Sequence, residues 1–595
     1  MSDFLHFLKR FSCRLAATTV LALSFVMTAG LQATTPVVVP TYESAGIYWK
    51  PNGGGPEKVV NVAFREMGHE SWQEALPLWF DPGPHTGVGA EHAEEYRGSI
   101  VYLNPGTVYE LRLTMEEGPE EIIQFQTRSD DFKIARTIEL PDSPESVFVI
   151  DEGGNAADGY VLYKMPEGVT WDAQNQLTSH IEVNASFVIL DGLVLTGAIN
   201  NGIVLGDVHD VIIQNCDISN WGEYNQHGAA KNYNSAVFSN SSNLERITVQ
   251  YSKFHHPRTD SNSWNQRRPG ARSSHPEGAE GISFLGSQGG HVIRFNSIYS
   301  DIEHMFYDGI GGAKNFSYSG FPFRDSDIHD NFISHCWDDA LEIEGANMNV
   351  RVWNNYMDMT YGAIGAASPS LGPIYFFRNV YAVSRKHEGT EPNDFRGHYL
   401  VKLGGNHEEF TRGKMYVFHN TALQPPPFPE FTDLSSGAQS GMVFTTLKKQ
   451  QYNITSRNNI FQVRKPSDWS IRDAKFSPTN DYDYDMFDGR IRVREDAQAN
   501  GIQATPIYRR TSEGLLELVP GTPGHDAGVR LPNFNDQFVG DAPDMGAVET
   551  NADGQKPTTW PEFPDPVETA ASKALAESKE SQTTKSEEEE VFIIE

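Results

Sequence analysis

The chain has 595 residues, with 47 Lys and Arg against 79 Asp and Glu, for a formal net charge of -32. Such a surface repels nucleic acid and anionic membranes. Hydrophobic residues make up 38%, with 52 Gly and 34 Pro, which excludes a coiled coil, a collagen and a wholly disordered chain; three Cys are too few for a disulfide scaffold.

Residues 1–33 read as an export signal. Lys9, Arg10 and Arg14 flank the start of an apolar run from Leu15 to Ala29, and Ala33 ends a small-residue cleavage site. The run is shorter than the ~20 residues a membrane span needs. The mature protein is therefore expected to be secreted, periplasmic or at the cell surface, with no membrane anchor after removal. Cys13 would leave with the signal, and Cys216 and Cys336 are expected as free buried thiols.

Residues 37–130 read as a small β-sandwich. Val108 to Leu113 alternates apolar and polar residues, as a half-buried strand does. Leu103, Pro105, Gly106, Thr107 and Tyr109 form an L-x-P-G-T-x-Y arrangement. It resembles the corner of a fibronectin type III domain, which implies a Tyr109 ring in the core with its hydroxyl bonded back to the corner backbone.

Residues 131–550 carry an internal repeat. Short apolar strands end in a polar column residue: Asp191, Asn215, Tyr251, Asn296, Asn331, Asn355, Asn379, Asn420 and Asn459. A separation of 24 residues recurs between column residues, and the longer separations are that minimum plus loop insertions. Coils stacked ~4.8 Å apart bring like residues into ladders. A buried Asn can then bond both its own turn and the Asn above it. The pattern resembles the right-handed parallel β-helix of the pectin-lyase-like class, so the expected fold is all-β: a right-handed parallel β-helix preceded by a small β-sandwich. The stretches Pro520 to Val529 and Gly540 to Glu549 resemble the closing cap of secreted bacterial members. Residues 551–595, ending in Glu587 to Glu590, read as a disordered acidic tail.

Two neighbouring coils concentrate carboxylates. Aligning Asp308-Gly309-Ile310 with Asp339-Ala340-Leu341 sets Asp308 beside Asp339 and Gly311 beside Glu342. With Leu341 and Ile343 in the core, Glu342 and Glu344 point outward together. Small residues on the flanking rows imply an open trough floored by acids. Carboxylates about 5–9.5 Å apart are the equipment of glycoside hydrolysis. Asp308, Asp339 and Glu342 are the candidate acid and base, with Asp338, Glu344 and His304 as further candidates. An Asp ahead of a strand also caps backbone N–H groups, and Asp338 is open to either reading. The Asp308 and Asp338-Asp339 pattern is similar to the catalytic aspartates of polygalacturonase-type hydrolases. Their Gly-His-Gly and Arg-x-Lys motifs have no counterpart here, so galacturonan is not implied.

Loop insertions concentrate basic and aromatic residues. Arg267, Arg268, Arg272, Lys402 and His398 are candidates to hold carboxylate or sulfate groups, and Trp264 and Tyr307 to stack on sugar rings. The Glu342-x-Glu344 pair resembles the calcium-binding pair of the alginate lyase and chondroitinase B-like family, which makes calcium an option at Glu342 and Glu344. Asn349 stands where that family has Lys. The leading expectation is a monomeric glycoside hydrolase of an anionic, uronate or sulfated polysaccharide, needing no cofactor. A β-eliminating polysaccharide lyase and a non-catalytic glycan-binding adhesin are the alternatives.

Overall fold

The structure, a computed structural model, describes residues 35–83, 93–264, 266, 275–312, 315–367, 369–382, 399–404, 407–423, the backbone of 442–444, 450–463, 466–473 and 475–563. The expected export segment, Arg267, Arg268, Arg272, His398 and the tail beyond 563 lie outside the described residues.

Seven antiparallel strands between Val37 and Gln126 form the N-terminal unit, ordered first, second, fifth, fourth, third, sixth, seventh. Strand Val108–Met115 buries alternate residues, as its sequence alternation requires. Tyr109 is buried, stacks on Phe125 at 5.6 Å, and accepts the Asn104 N–H on its hydroxyl at 2.8 Å. The unit docks through buried polar contacts on the following domain. Tyr48 donates to Asp325 at 2.9 Å, Arg97 to the Leu371 carbonyl at 3.1 Å, and Arg294 pairs with Glu43 at 2.7 Å.

From Ile134 onward the chain winds into a parallel β-helix. Among the described residues, one face is a 12-stranded sheet running from Ile134–Glu139 to Asp481–Tyr482. The other two faces form a second, longer set of strands ending at Ile502–Gln503. The 24-residue coils stack in register: Trp353 pairs with His329 on one side and Phe377 on the other, their rings 4.0 and 5.5 Å apart. Val, Ile and Leu columns fill the interior. Cys216 and Cys336 are free and buried.

The polar ladder runs through Asn296, Asn331, Asn355, Asn379, Asn420 and Asn459. Each amide from Asn331 to Asn420 donates to the next Asn at 2.9 or 3.0 Å, and Asn459 ends on Asp485 at 2.8 Å. Its first members differ from the expected ones. Asn296 accepts the Ser252 N–H and Ser252 accepts the Cys216 N–H, both at 3.1 Å, so Tyr251 and Asn215 each sit one residue early and Asp191 is also out of the column. Asn215 and Tyr251 occupy the left-handed bend just before the ladder, with φ of 54° and 53°. Asn tolerates that conformation well, so an Asn in this repeat marks either position. Asn355→Ala is expected to cost about 3 kcal/mol, because it strands the buried Asn331 N–H and side-chain amide that Asn355 now accepts. A shift in the denaturant midpoint measures it.

The C-terminal segment departs from the expected cap. After the hairpin of Tyr508–Arg510 and Leu516–Leu518, it runs back along the outside of the coils. Val529 accepts from Asn458, Ala547 accepts from Arg378, and the Asn354 carbonyl accepts from Trp560. Residues 551–563 thus belong to this strap and not to a disordered tail. Trp560 and Phe563 are buried against Tyr356, at ring distances of 5.8 and 5.2 Å. Aromatic side chains supply the burial that an acidic composition alone would not.

Candidate active site

Five successive coils build one polar column. The registers Ser235↔Glu280, Ile282↔Ile310, Ile310↔Leu341 and Asp339↔Gly362 place Glu280, Asp308 and Asp339 on neighbouring strands of one face. Three residues further along, Gly311, Glu342, Gly365 and Lys402 stack in the same way. Leu341 and Ile343 enter the core, which sends Glu342 and Glu344 to the other side of the strand.

The acids are buried, not spread along an open trough. Asp308 and Asp339 are 1% exposed, and Glu342, the most accessible, is 9% exposed. Asp308 accepts the Asp339 N–H at 2.9 Å through one oxygen, and its other oxygen has no hydrogen-bond partner among the described residues. Lys402 pairs with Asp339 and lies 3.1 Å from Glu344, which also accepts the Ala367 N–H at 3.3 Å. The bare rows expected beside the acids have a different purpose. A Cβ on Gly362 or Gly365 would fall 2.3 Å from an Asp339 oxygen, so these glycines make room for the carboxylate.

Aromatic side chains cover one flank. Trp264 donates its indole N–H to Asp338 at 3.2 Å, and its ring lies 4.5 Å from His275 and 5.8 Å from Tyr361. His275 also stands 3.7 Å from Asp338 and 5.8 Å, ring to ring, from Tyr307. Of the two aromatic residues expected to stack on sugar, Tyr307 is buried beneath this layer and Trp264 is partly exposed.

The electrostatics separate the acids. Burial, reinforced by Glu342, Asp338 and Glu280, holds the Asp308 carboxyl well above the usual range. Burial and then Glu344 do the same to Glu342. Burial lifts Asp338 to about 7, Asp339 adding to it. For Lys402, burial favours the neutral amine, but Asp339, Glu344 and Asp338 together outweigh it and hold the ammonium well above its usual range. The column thus sets acids with raised values next to Asp339, which pairs with Lys402, and titratable groups in unlike environments are what general acid–base chemistry uses.

Glu280 was not anticipated from the sequence. It is 1% exposed, and burial pushes it up to about 8 against the opposing effect of the Ser283 hydroxyl. No carboxylate motif marks it; only its register with Asp308 brings it into the column. Tyr233 is its neighbour, pushed up to about 12 by burial and by Glu280.

Three expectations need correction. His304 lies outside the column, on the turn after strand Ser297–Tyr299, 3.4 Å from Asp301 and beside His256, because the loop from 300 to 308 turns onto the next face. Lys402 is committed to Asp339 and Glu344, so it organises the acids and does not present a cation to a ligand. Calcium at Glu342 and Glu344 would have to compete with that same ammonium, 3.1 Å from Glu344. Among the described residues, the one three-ligand group close enough to hold a metal is His525, Asp526 and Asp544 on the strap.

Raised carboxyl values make stability fall as pH rises. A folded Glu280 keeps its proton up to about 8, whereas the unfolded chain releases it near 4.5, so its contribution is full below the lower value and lost across that window. The melting temperature is expected to rise on acidification through this range. Glu280→Gln should flatten the slope and melt higher than the wild type above the upper value, as thermal scans in a pH series would show.

No family model and no curated protein matches the chain. Among solved structures, it is similar to a pectate lyase from Erwinia chrysanthemi in complex with tetragalacturonic acid, with 9% identity over 71% of this chain and 99% of that chain, at a TM-score of 0.16.

Proposed function

We propose that the protein is an exported glycoside hydrolase that cleaves an anionic polysaccharide, carrying uronate or sulfate groups, by carboxylate acid–base chemistry. The observation that carries this reading is the placement of Glu342, the most accessible acid of the column and held well above the usual range first by burial, beside Asp339, which pairs with the partly buried Lys402. Glu342 donates a proton to the departing glycosidic oxygen. Asp339 activates water or attacks the sugar carbon, with Asp308 fixing its backbone. Bond cleavage then leaves one new reducing end per event.

Substrate contacts come from the insertion that leaves the coil at Trp264 and returns at His275, both beside Asp338. Arg267, Arg268 and Arg272 lie in that insertion and are assigned the substrate's negative groups. No cofactor is invoked, and the protein is taken to act as a monomer without nucleic-acid partners. β-Elimination is the weaker reading. It needs a deprotonated base for the proton beside the uronate: Lys402 and Tyr307 are both pushed toward the protonated form, Tyr307 by burial and then by Asp308, His304 stands by Asp301 outside the column, and His398 lies outside the described residues.

Digestion of a panel of uronate-containing and sulfated polysaccharides tests the proposal. New reducing ends without ultraviolet absorbance from an unsaturated sugar are expected. Both signals together would mean elimination, and retention on a glycan column with neither signal would mean a binding protein.

A further inference from the structure

We infer a second carbohydrate site, specific for an acidic sugar unit, in the cleft where the N-terminal unit, the coil corner and the C-terminal strap meet. The cleft has a volume of about 500 Å³ and is bordered by Tyr102, Asn354, Arg378, Gln537 and Trp560. That volume suits one or two sugar rings and falls within the ordinary range of ligand pockets. It opens at the bend between the 12-stranded face and the next one, whereas the acid column stands on the third face.

Arg378 carries the argument. It sits at the left-handed bend before the Asn379 ladder position, with φ of 54°, which turns it outward from the coil. Its guanidinium donates to the Ala547 carbonyl at 3.0 Å and makes no ion pair among the described residues. In a chain with 79 acidic residues, a half-buried arginine without a carboxylate partner is out of balance. Three acids border the cleft: Glu549 accepts the backbone N–H groups of Val539 and Asp544, at 3.2 and 3.1 Å, Asp536 pairs with Arg530 at 2.8 Å, and Asp553 is exposed. The guanidinium borders the cleft and shares a side-chain hydrogen bond with the Tyr102 hydroxyl, and its planar fork suits a carboxylate or sulfate.

The other walls match the rest of a sugar. Tyr102 is 46% exposed although it packs edge-on against Phe377 at 6.0 Å, and it borders the cleft. An exposed, braced aromatic ring is a platform for the apolar C–H face of a pyranose. Asn354 donates to Asp330 at 3.2 Å and keeps its amide oxygen for a hydroxyl, and Gln537 is exposed. The inference stands on these walls alone and does not require the acid column to cut anything.

Isothermal titration of the full-length protein tests it, with cellobiuronic acid and a sulfated glucose as probes and cellobiose as the neutral control. Both acidic probes, or the one whose anion fits the fork, should bind and cellobiose should not. Arg378→Met should weaken that binding about 10–100-fold, with Arg378→Lys intermediate. Because Arg378 also ties down Ala547, Tyr102→Ala on the exposed side provides an independent reading, with a loss of about tenfold. Crystals soaked with the bound probe should show its anion on Arg378. A second binding class that survives all three substitutions would report the acid column. If that column binds no sugar, a single class that vanishes in Arg378→Met remains the expected result. Binding unchanged in Arg378→Met and Tyr102→Ala, or cellobiose bound as tightly as the acid, overturns the inference.

Discussion

Glu342→Gln is expected to lower the turnover of the polysaccharide by about 10²–10⁴-fold, the usual contribution of a general acid. The side chain is the most solvent-accessible acid in the column, and no hydrogen bond to a described residue ties it down, so the amide should fit without disturbing the coil. Gln cannot give up a proton, and the departing sugar oxygen would then leave unassisted. The raised Glu342 carboxyl sets the alkaline limb of the pH–rate profile, so the same variant should lose that limb. Initial rates of reducing-end release across a pH series give both readings. A variant with wild-type turnover would remove Glu342 from the chemistry and with it the proposed mechanism.

Lys402→Met should destabilise the fold by about 3–5 kcal/mol, the usual consequence of removing one partner from a buried ion pair. Met keeps most of the apolar stem but leaves Asp339 and Glu344 without their shared cation. The penalty depends on pH. In the wild type, the raised Lys402 value means its contribution is full below the ordinary 10.5 and is lost only above it. In the variant, Glu344, already raised by burial, loses the cation that lowers it, so it would hold its proton more tightly folded than unfolded and stability would fall as pH rises past the ordinary carboxylate range. Denaturant titrations at acidic and neutral pH should therefore show the smaller loss in acid. Adding Asp339→Asn to Lys402→Met should recover part of it, since one unpaired charge disappears.

Much of the architecture was legible because β-helix coils repeat their chemistry. A column that must both accept a backbone N–H and bond its neighbour admits few side chains, and Asn331, Asn355 and Asn379 recur at the coil length for that reason. The same logic located Asp308 beside Asp339, since strand register follows from aligning apolar core residues such as Ile310 and Leu341. It failed where smaller groups substitute. Ser252 and Cys216 continue the ladder, yet neither resembles Asn, while Asn215 satisfies the bend and not the column.

By itself, then, the sequence determined the winding, its repeat and the coils that hold the acids, because those depend on apolar spacing and on hydrogen bonds between like residues. Tertiary structure decided what the acids are. Burial raised Glu280, Asp308 and Glu342, and a lysine 63 residues downstream came to rest on Asp339. The return of the C-terminal strap across the coils likewise enclosed the cleft beside Arg378. Dehydration and charge pairing between distant segments have no local signature, since they arise only when the coils stack and the strap folds back over them.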